Sequence, residues 1–244
     1  MADLFPVAGD RIYIGGVLSA KNADFVAADF AGQSWVEIDG WETCGPIGDA
    51  AQEIATDLIN RGRTVVQKGT RRSPAMENNF AIVPGDAGQA ALYAAERSKF
   101  NYAFRILRDD APLGAPKAAT ISIAAPGVVS VAAHGWSAGQ RVRFSTTGVL
   151  PDPLVPGDDY YLVPTVNTGT FSIASTPGGT AIETTGAQSG THQAIAVGIG
   201  SQRLFIGLVM GATEQGGQAN TIKMLSSTIA PNSNIVRVSA QAPA

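Results

Sequence analysis

Two strongly alternating segments, Asn101–Leu107 and Arg203–Val209, stand on either side of a long block of different character. Alternation at period two marks half-buried strands. From Ala118 to Val197 the block contains no Lys, and Arg141 and Arg143 are its only Arg residues. It is rich in Thr, Gly, Ser and Pro. Short strand patterns recur inside it at Val128–Ala132, Gln140–Ser145, Asp159–Val163, Thr170–Ile173 and His192–Ala196. Turn signals separate them, among them His134-Gly135, Thr147-Gly148 and Pro156-Gly157-Asp158. A block that folds on itself brings its two ends together. The flanking strands can then pair as one hairpin with a domain grafted at its tip, where insertion is best tolerated. The expected organisation is therefore one discontinuous β domain, 1–113 and 200–244, carrying an inserted β domain at 118–197.

Outside the block the same alternation recurs. Arg11–Ile14, Ser34–Ile38, Arg63–Val66, Asn78–Val83 and Ile235–Val238 read as strands. One helix is expected. Asp86 stands as N-cap after the breaker pair Pro84-Gly85, and good helix formers follow to Glu96. Ala91, Leu92 and Ala95 share one side of it. Gly48–Ile59 is ambiguous: its start fits a helix, and the part after Glu53 fits a strand. Lys68–Pro74 reads as a polar irregular loop, and Gly211–Gly217 as a flexible one. The fold class is mainly β, a sandwich or barrel with one α-helix plus a small all-β insert.

Chemistry is sparse. A Ser-His-Asp set can be assembled on paper from Ser137, His134 and Asp152, but no G-x-S-x-G elbow is present. Cys44 and two scattered histidines give no zinc spacing, so neither a metal nor another cofactor is expected. Asp158-Asp159 follows a Pro-Gly turn but lacks the oxygen-ligand density of a calcium loop. Gly211–Gly217 is followed by no Lys-Ser or Lys-Thr, which excludes a Walker-type phosphate loop. The reading is a non-enzyme. Charged residues are 15% of the chain against roughly 25% in ordinary soluble domains, which suits a surface buried against partners. A net charge of -3 argues against a nucleic-acid-gripping surface and lets like subunits stack. The lone cysteine makes the fold independent of oxidation. The first residues carry no basic or apolar leader, and no apolar run reaches membrane-span length. Arg61, Arg63, Lys68, Arg71 and Arg72 form one basic cluster without interleaved aromatics. It is read either as a partner-contacting loop or as an ordinary solvated one.

In order along the chain come a strand, the basic segment with Lys68-Gly69-Thr70-Arg71, a second strand, then Pro84-Gly85-Asp86-Ala87-Gly88-Gln89-Ala90-Ala91-Leu92 and Tyr102-Ala103-Phe104-Arg105-Ile106. This series resembles the major tail tube proteins of long, non-contractile bacteriophage tails. In those proteins a Gly-x-x-Gly-Gln-x-x-Leu helix start precedes a Tyr-x-x-Arg-Ile strand. The likeness covers about 1–113 and 200–244. The block between resembles a small β module of phage tail and baseplate proteins, carried by Pro126-Gly127-Val128-Val129, Gly139-Gln140-Arg141-Val142-Arg143-Phe144 and Asp159-Tyr160-Tyr161-Leu162-Val163. The resemblance implies a virion protein made in the host cytoplasm. It implies rings of six that stack head to tail into a tube, with a tape measure protein, a tail terminator and baseplate proteins as partners. DNA would transit the lumen without sequence-specific binding. The basic cluster would then join ring to ring. The insert would project outward, since an inward one would block the lumen. The rival reading is a carbohydrate- or host-surface-binding baseplate or fibre component, with Trp136, Tyr160 and Tyr161 stacking on sugars; core packing of these aromatics is the plainer account.

Overall fold

The computed structural model describes residues 4–60, 62–163 and 167–243. The chain divides into two compact units, Met1–Asp109 with Ser201–Ser239, and Asp110–Gly200 with Ala240–Ala244. Along the chain come β1 (Arg11–Val17), a 3-10 turn (Ala27–Phe30), β2 (Val36–Glu37), β3 (Trp41–Thr43), β4 (Ala50–Leu58), β5 (Arg63–Arg72), β6 (Met76–Ala81), α1 (Ala87–Glu96) and β7 (Tyr102–Leu107). The second unit holds β8 (Lys117–Ile121), β9 (Val129–Ser130), β10 (Arg141–Thr146), β11 (Tyr160–Leu162), β12 (Thr170–Phe171), β13 (Ile173–Ala174) and β14 (His192–Val197). The chain then returns through β15 (Gln202–Gln215), β16 (Met224–Pro231) and β17 (Val236–Val238). The fold is mainly β, with α1 the one α-helix among the described residues.

The first unit is a sheet that nearly closes on itself. Its order is β2-β1-β7-β15-β16-β6-β3, with β17 added beside β15. The two end strands, β2 and β3, are consecutive in the chain, so residues 38–40 bridge the gap. Ile38 N–H donates to Ile12 C=O on one side, and Ala81 N–H donates to Gly40 C=O on the other. Inside lie Ile12, Ile14, Phe80, Phe104, Ile106, Phe205, Leu225 and Ile229, with Leu92 and Ala95 of α1 packed among them. The Phe104 and Phe205 rings stack at 5.5 Å. On the opposite face of β7 and β15, Ala103, Leu204 and Ile206 meet Phe30 of the 3-10 turn and Phe25 just before it. The Asn234 amide holds that segment, accepting from Phe25 N–H at 2.7 Å and donating to Phe25 C=O at 3.0 Å.

The helix sits where the sheet fails to close. Asp86 caps it by accepting from Gln89 N–H at 2.7 Å, as its sequence position predicts. The buried Gln89 side chain donates to Asp39 C=O at 2.9 Å and Ala81 C=O at 2.8 Å, and accepts from Val83 N–H at 3.3 Å. One amide thus satisfies backbone groups on both sides of the seam. Gly88 allows the approach: a Cβ there would fall on the Glu37 carbonyl oxygen and 2.6 Å from Ile38 Cα.

The expected hairpin between the flanking strands is present. β15 pairs with β7 antiparallel, from Gln202 opposite Leu107 to Gly207 opposite Tyr102. The unit boundaries differ from those expected. Residues 110–113 belong with the insert, because Leu113 bridges Val197. Residues 240–244 also belong there, because Gln241 and Ile199 exchange two backbone hydrogen bonds. Two loop expectations are corrected as well. Gly211–Gln215 is not a loop: β15 runs on past a bulge at Met210 and pairs with β16 as far as Gln215 opposite Met224. Gly48–Ile59 is a strand from Ala50 onward, and Lys68–Arg72 continues its partner instead of breaking into a loop.

The second unit is its own sheet, ordered β12-β9-β8-β14-β10-β11-β13. Ile121, Val129, Trp136, Val142, Phe144, Tyr160, Leu162 and Phe171 fill its core. No helix among the described residues is long and apolar enough to cross a membrane.

Candidate assembly surface

β4 and β5 form a two-stranded sheet that no third strand among the described residues joins. At about 3.3 Å per residue the hairpin is roughly 30 Å long. No residue of either strand is buried. Ile54 is 51% exposed and Val66 58%. Isolated two-stranded hairpins are marginal in water, and unpaired strand edges are templates for another chain.

The basic residues lie here. Arg63, Lys68, Arg71 and Arg72 stand on β5, a strand, while Arg61 lies outside the described residues. The loop reading fails because the backbone groups from Arg63 to Arg72 are paired with Ala50–Leu58. The stretch is polar because both its faces meet solvent. Residues directly opposite one another share a face of the sheet. Glu53 opposes Lys68, Asp57 opposes Thr64, and Ala51 opposes Arg71. Glu53, Asp57, Lys68 and Arg71 therefore share one face, and Arg63 and Arg72 take the other. Gly69 and Thr70 stand against Gln52 alone, a bulge that keeps Lys68 and Arg71 on the same face despite their odd spacing.

The charges are sorted by strand. Every charged residue from Asp49 through Leu58 is acidic: Asp49, Glu53 and Asp57. Every charged residue of β5 is basic. Three of the side-chain hydrogen bonds that cross between the strands end on these carboxylates. Arg71 Nε donates to Asp49 Oδ2 at 2.7 Å, and its Nη2 to Oδ1 at 3.3 Å. Thr64 Oγ1 donates to Asp57 Oδ1 at 2.6 Å. The hydrogen bond from Arg71 is the main cause that holds the Asp49 carboxyl below its ordinary range, and the same bond raises Arg71. At the root of the hairpin, Arg71, Arg72, Asp24 and Asn232 border a cleft of about 320 Å³. Ser73 also lines it, and its buried hydroxyl has no hydrogen-bond partner among the described residues.

The other candidates are absorbed by structure. His134 donates from Nε2 to Asn167 C=O at 2.6 Å and accepts at Nδ1 from Trp136 N–H at 2.9 Å. Both ring nitrogens are thus used by backbone, and neither serves Ser137 or Asp152. His192 is held between Thr146 Oγ1 at 2.8 Å and Gln188 Oε1 at 3.1 Å. Asp159 accepts from Arg141 and from Arg143, so its carboxylate is occupied by guanidinium. Trp136 is 6% exposed and Tyr160 5%, which leaves neither as a platform for sugar. No group of three or more His, Cys, Asp or Glu among the described residues is arranged to hold a metal.

Sequence reasoning found the bases and missed the acids that face them. The signal was present: Asp49, Glu53 and Asp57 recur every four residues, an even spacing that keeps them on one side of a strand. No family model and no curated protein matches the chain.

Proposed function

We propose that the protein is a self-assembling structural subunit, and specifically a tail tube subunit of a long-tailed bacteriophage. In this reading six copies form a ring, rings stack into a tube, and DNA passes through the channel to the host. The tape measure, terminator and baseplate proteins are its other partners, and the virion is its location. The second unit sits on the tube's outer surface, because an inward position would obstruct the channel. The observation that carries the reading is the β4–β5 hairpin, a charged strand pair with two open edges and exposed Ile54 and Val66. A monomer would leave such edges as an aggregation hazard, whereas a closed assembly satisfies them. The near-closed first unit and the order of motifs around α1 support the same reading. The weak overall charge is compatible with a channel that must release DNA.

The test is negative-stain microscopy of the purified protein across a concentration series. Hollow tubes or six-fold rings are expected. A chain that stays monomeric by light scattering at every concentration overturns the proposal. Reversal of Arg63 and Lys68 to Glu tests the role of the basic residues in ring-to-ring contact. Normal tube length in that variant would remove them from the interface.

A further inference from the structure

We propose that the cleft at the root of the β4–β5 hairpin binds a small zwitterion of the α-amino-acid class. This site is independent of self-assembly. Every residue that borders the cleft lies in the first unit. Its volume of about 320 Å³ falls at the small end of the range of roughly 300–1,000 Å³ found for ligand sites. The wall built from residues 231–234 is fixed from behind. Asn232 N–H donates to Ile206 C=O at 2.8 Å. Ser233 Oγ accepts from Ile206 N–H at 3.1 Å and donates to Asn234 C=O at 2.9 Å. The Asn234 amide is used by Phe25. A wall already held in place need not be ordered by its ligand, which lowers the cost of binding.

Four polar groups around the cleft keep capacity to spare. Ser73 is only 8% exposed, and its hydroxyl has no hydrogen-bond partner among the described residues. A buried hydroxyl without a partner is destabilising, and a ligand that supplies one removes the penalty. The Arg72 guanidinium and the Asp24 carboxylate border the same space and make no hydrogen bond or ion pair among the described residues. The Asn232 amide donates to Asn101 Oδ1 at 3.1 Å, which leaves its own Oδ1 as an acceptor. Arg71 and Asp49 are bound to each other and offset each other's charge. Arg237 acts on Asp49 through space but does not line the cleft. The charges left over at the cleft are one positive, Arg72, and one negative, Asp24. A simple anion drawn to Arg72 is opposed by Asp24, and a simple cation meets the reverse. A neutral polyol satisfies Ser73 and leaves both charges unused. A zwitterion uses everything: its carboxylate takes Arg72 and the Ser73 hydroxyl, and its ammonium takes Asp24 and Asn232 Oδ1.

The experiment uses the full-length chain, held dispersed at low concentration. The common L-α-amino acids are titrated one by one and followed by calorimetry and ligand-observed NMR. For each that binds, the N-acetyl derivative and the methyl ester, which lack one charge each, are titrated alongside, with glycerol and glucose as neutral probes. At least one amino acid should bind with a Kd of about 1 mM or tighter. Each blocked form should bind at least about tenfold more weakly. Arg72→Gln should abolish the discrimination against the methyl ester, and Asp24→Asn the discrimination against the N-acetyl form. Ser73→Ala should weaken binding about tenfold while its thermal midpoint stays level or rises, because the hydroxyl removed has no partner in the fold. A damaged fold would instead lower the midpoint, and it would not change which blocked form is rejected. Three results overturn the proposal: no amino acid of the panel binds at millimolar concentration, the blocked forms or the neutral probes bind as well as the free amino acid, or binding and its discrimination survive in Arg72→Gln and Asp24→Asn.

Discussion

Replacing Gly88 with alanine sets two effects of opposite sign against each other. On propensity alone, alanine within a helix is more favourable than glycine by about 1 kcal/mol. The structure predicts the reverse result. The added Cβ would overlap the Glu37 carbonyl oxygen and lie 2.6 Å from Ile38 Cα, and both belong to backbone that cannot rotate away. Either α1 lifts off the seam, loosening the bonds of Gln89, or residues 37–38 shift and strain the β1–β2 pairing. Overpacking of this kind costs about 1–3 kcal/mol, more when backbone must move. Backbone must move here, so the cost stands at the top of that range, about 3 kcal/mol, and a net loss of about 2 kcal/mol remains after the propensity gain is subtracted. For a unit of this size that lowers Tm by about 4–8 °C. Gly32→Ala is the control, since a Cβ there meets nothing within 4 Å. Urea melts followed by tryptophan fluorescence, with calorimetry alongside, measure both. If Gly88→Ala is as stable as the parent, α1 does not approach the seam this closely and the account of closure is wrong.

The amide that spans the seam gives a second expectation. Gln89→Leu removes three hydrogen bonds and leaves two carbonyls and one N–H without their partner, at a cost of about 2–4 kcal/mol in the same urea melt. Asp159→Asn removes the charge shared by Arg141 and Arg143, and the unfolding transition of the second unit should fall by about 1–3 kcal/mol while that of the first stays put. Asp49 gives a pH signature. Its carboxyl is held below the ordinary value by Arg71, so the pair's contribution is complete above about pH 4 and is lost as pH falls through the lowered folded value. Carboxyl carbon NMR should show that midpoint, and Arg71→Gln should return it upward; no movement would mean the pair does not form in solution.

The helix and the inserted organisation were legible because each leaves a local mark. Asp86 follows a breaker pair at a cap position, and the segments ending at Leu107 and starting at Arg203 alternate cleanly. Where the pattern was diluted, reading failed. β16 places Leu225, Ser227 and Ile229 inward, and the buried Ser227 interrupts its apolar alternation, so nothing marked it as a strand. With that partner unseen, Gly211–Gly217 had only its glycines to speak for it. β5 failed for a different reason. A strand with both faces in solvent has no hydrophobic period, and the bulge at Gly69 and Thr70 scrambles even its charge spacing. The return of residues 240–244 to the insert rests on two backbone hydrogen bonds at Gln241, to which side-chain identity contributes no signal.

Leu107 and Gln202 face each other across one rung of the β7–β15 ladder. Seen from the first unit, everything between them occupies the place of a tight turn. The host strands therefore register no difference between a two-residue reversal and a whole domain, and the length of the excursion is free to vary. Selection can lengthen, replace or discard such an excursion without renegotiating the sheet that bears it. Among the described residues Gln241 adds a constraint, because it binds Ile199 from a segment roughly forty positions further along the chain. Any exchange of the passenger must also re-seat the last few residues, so the two segments are expected to change together.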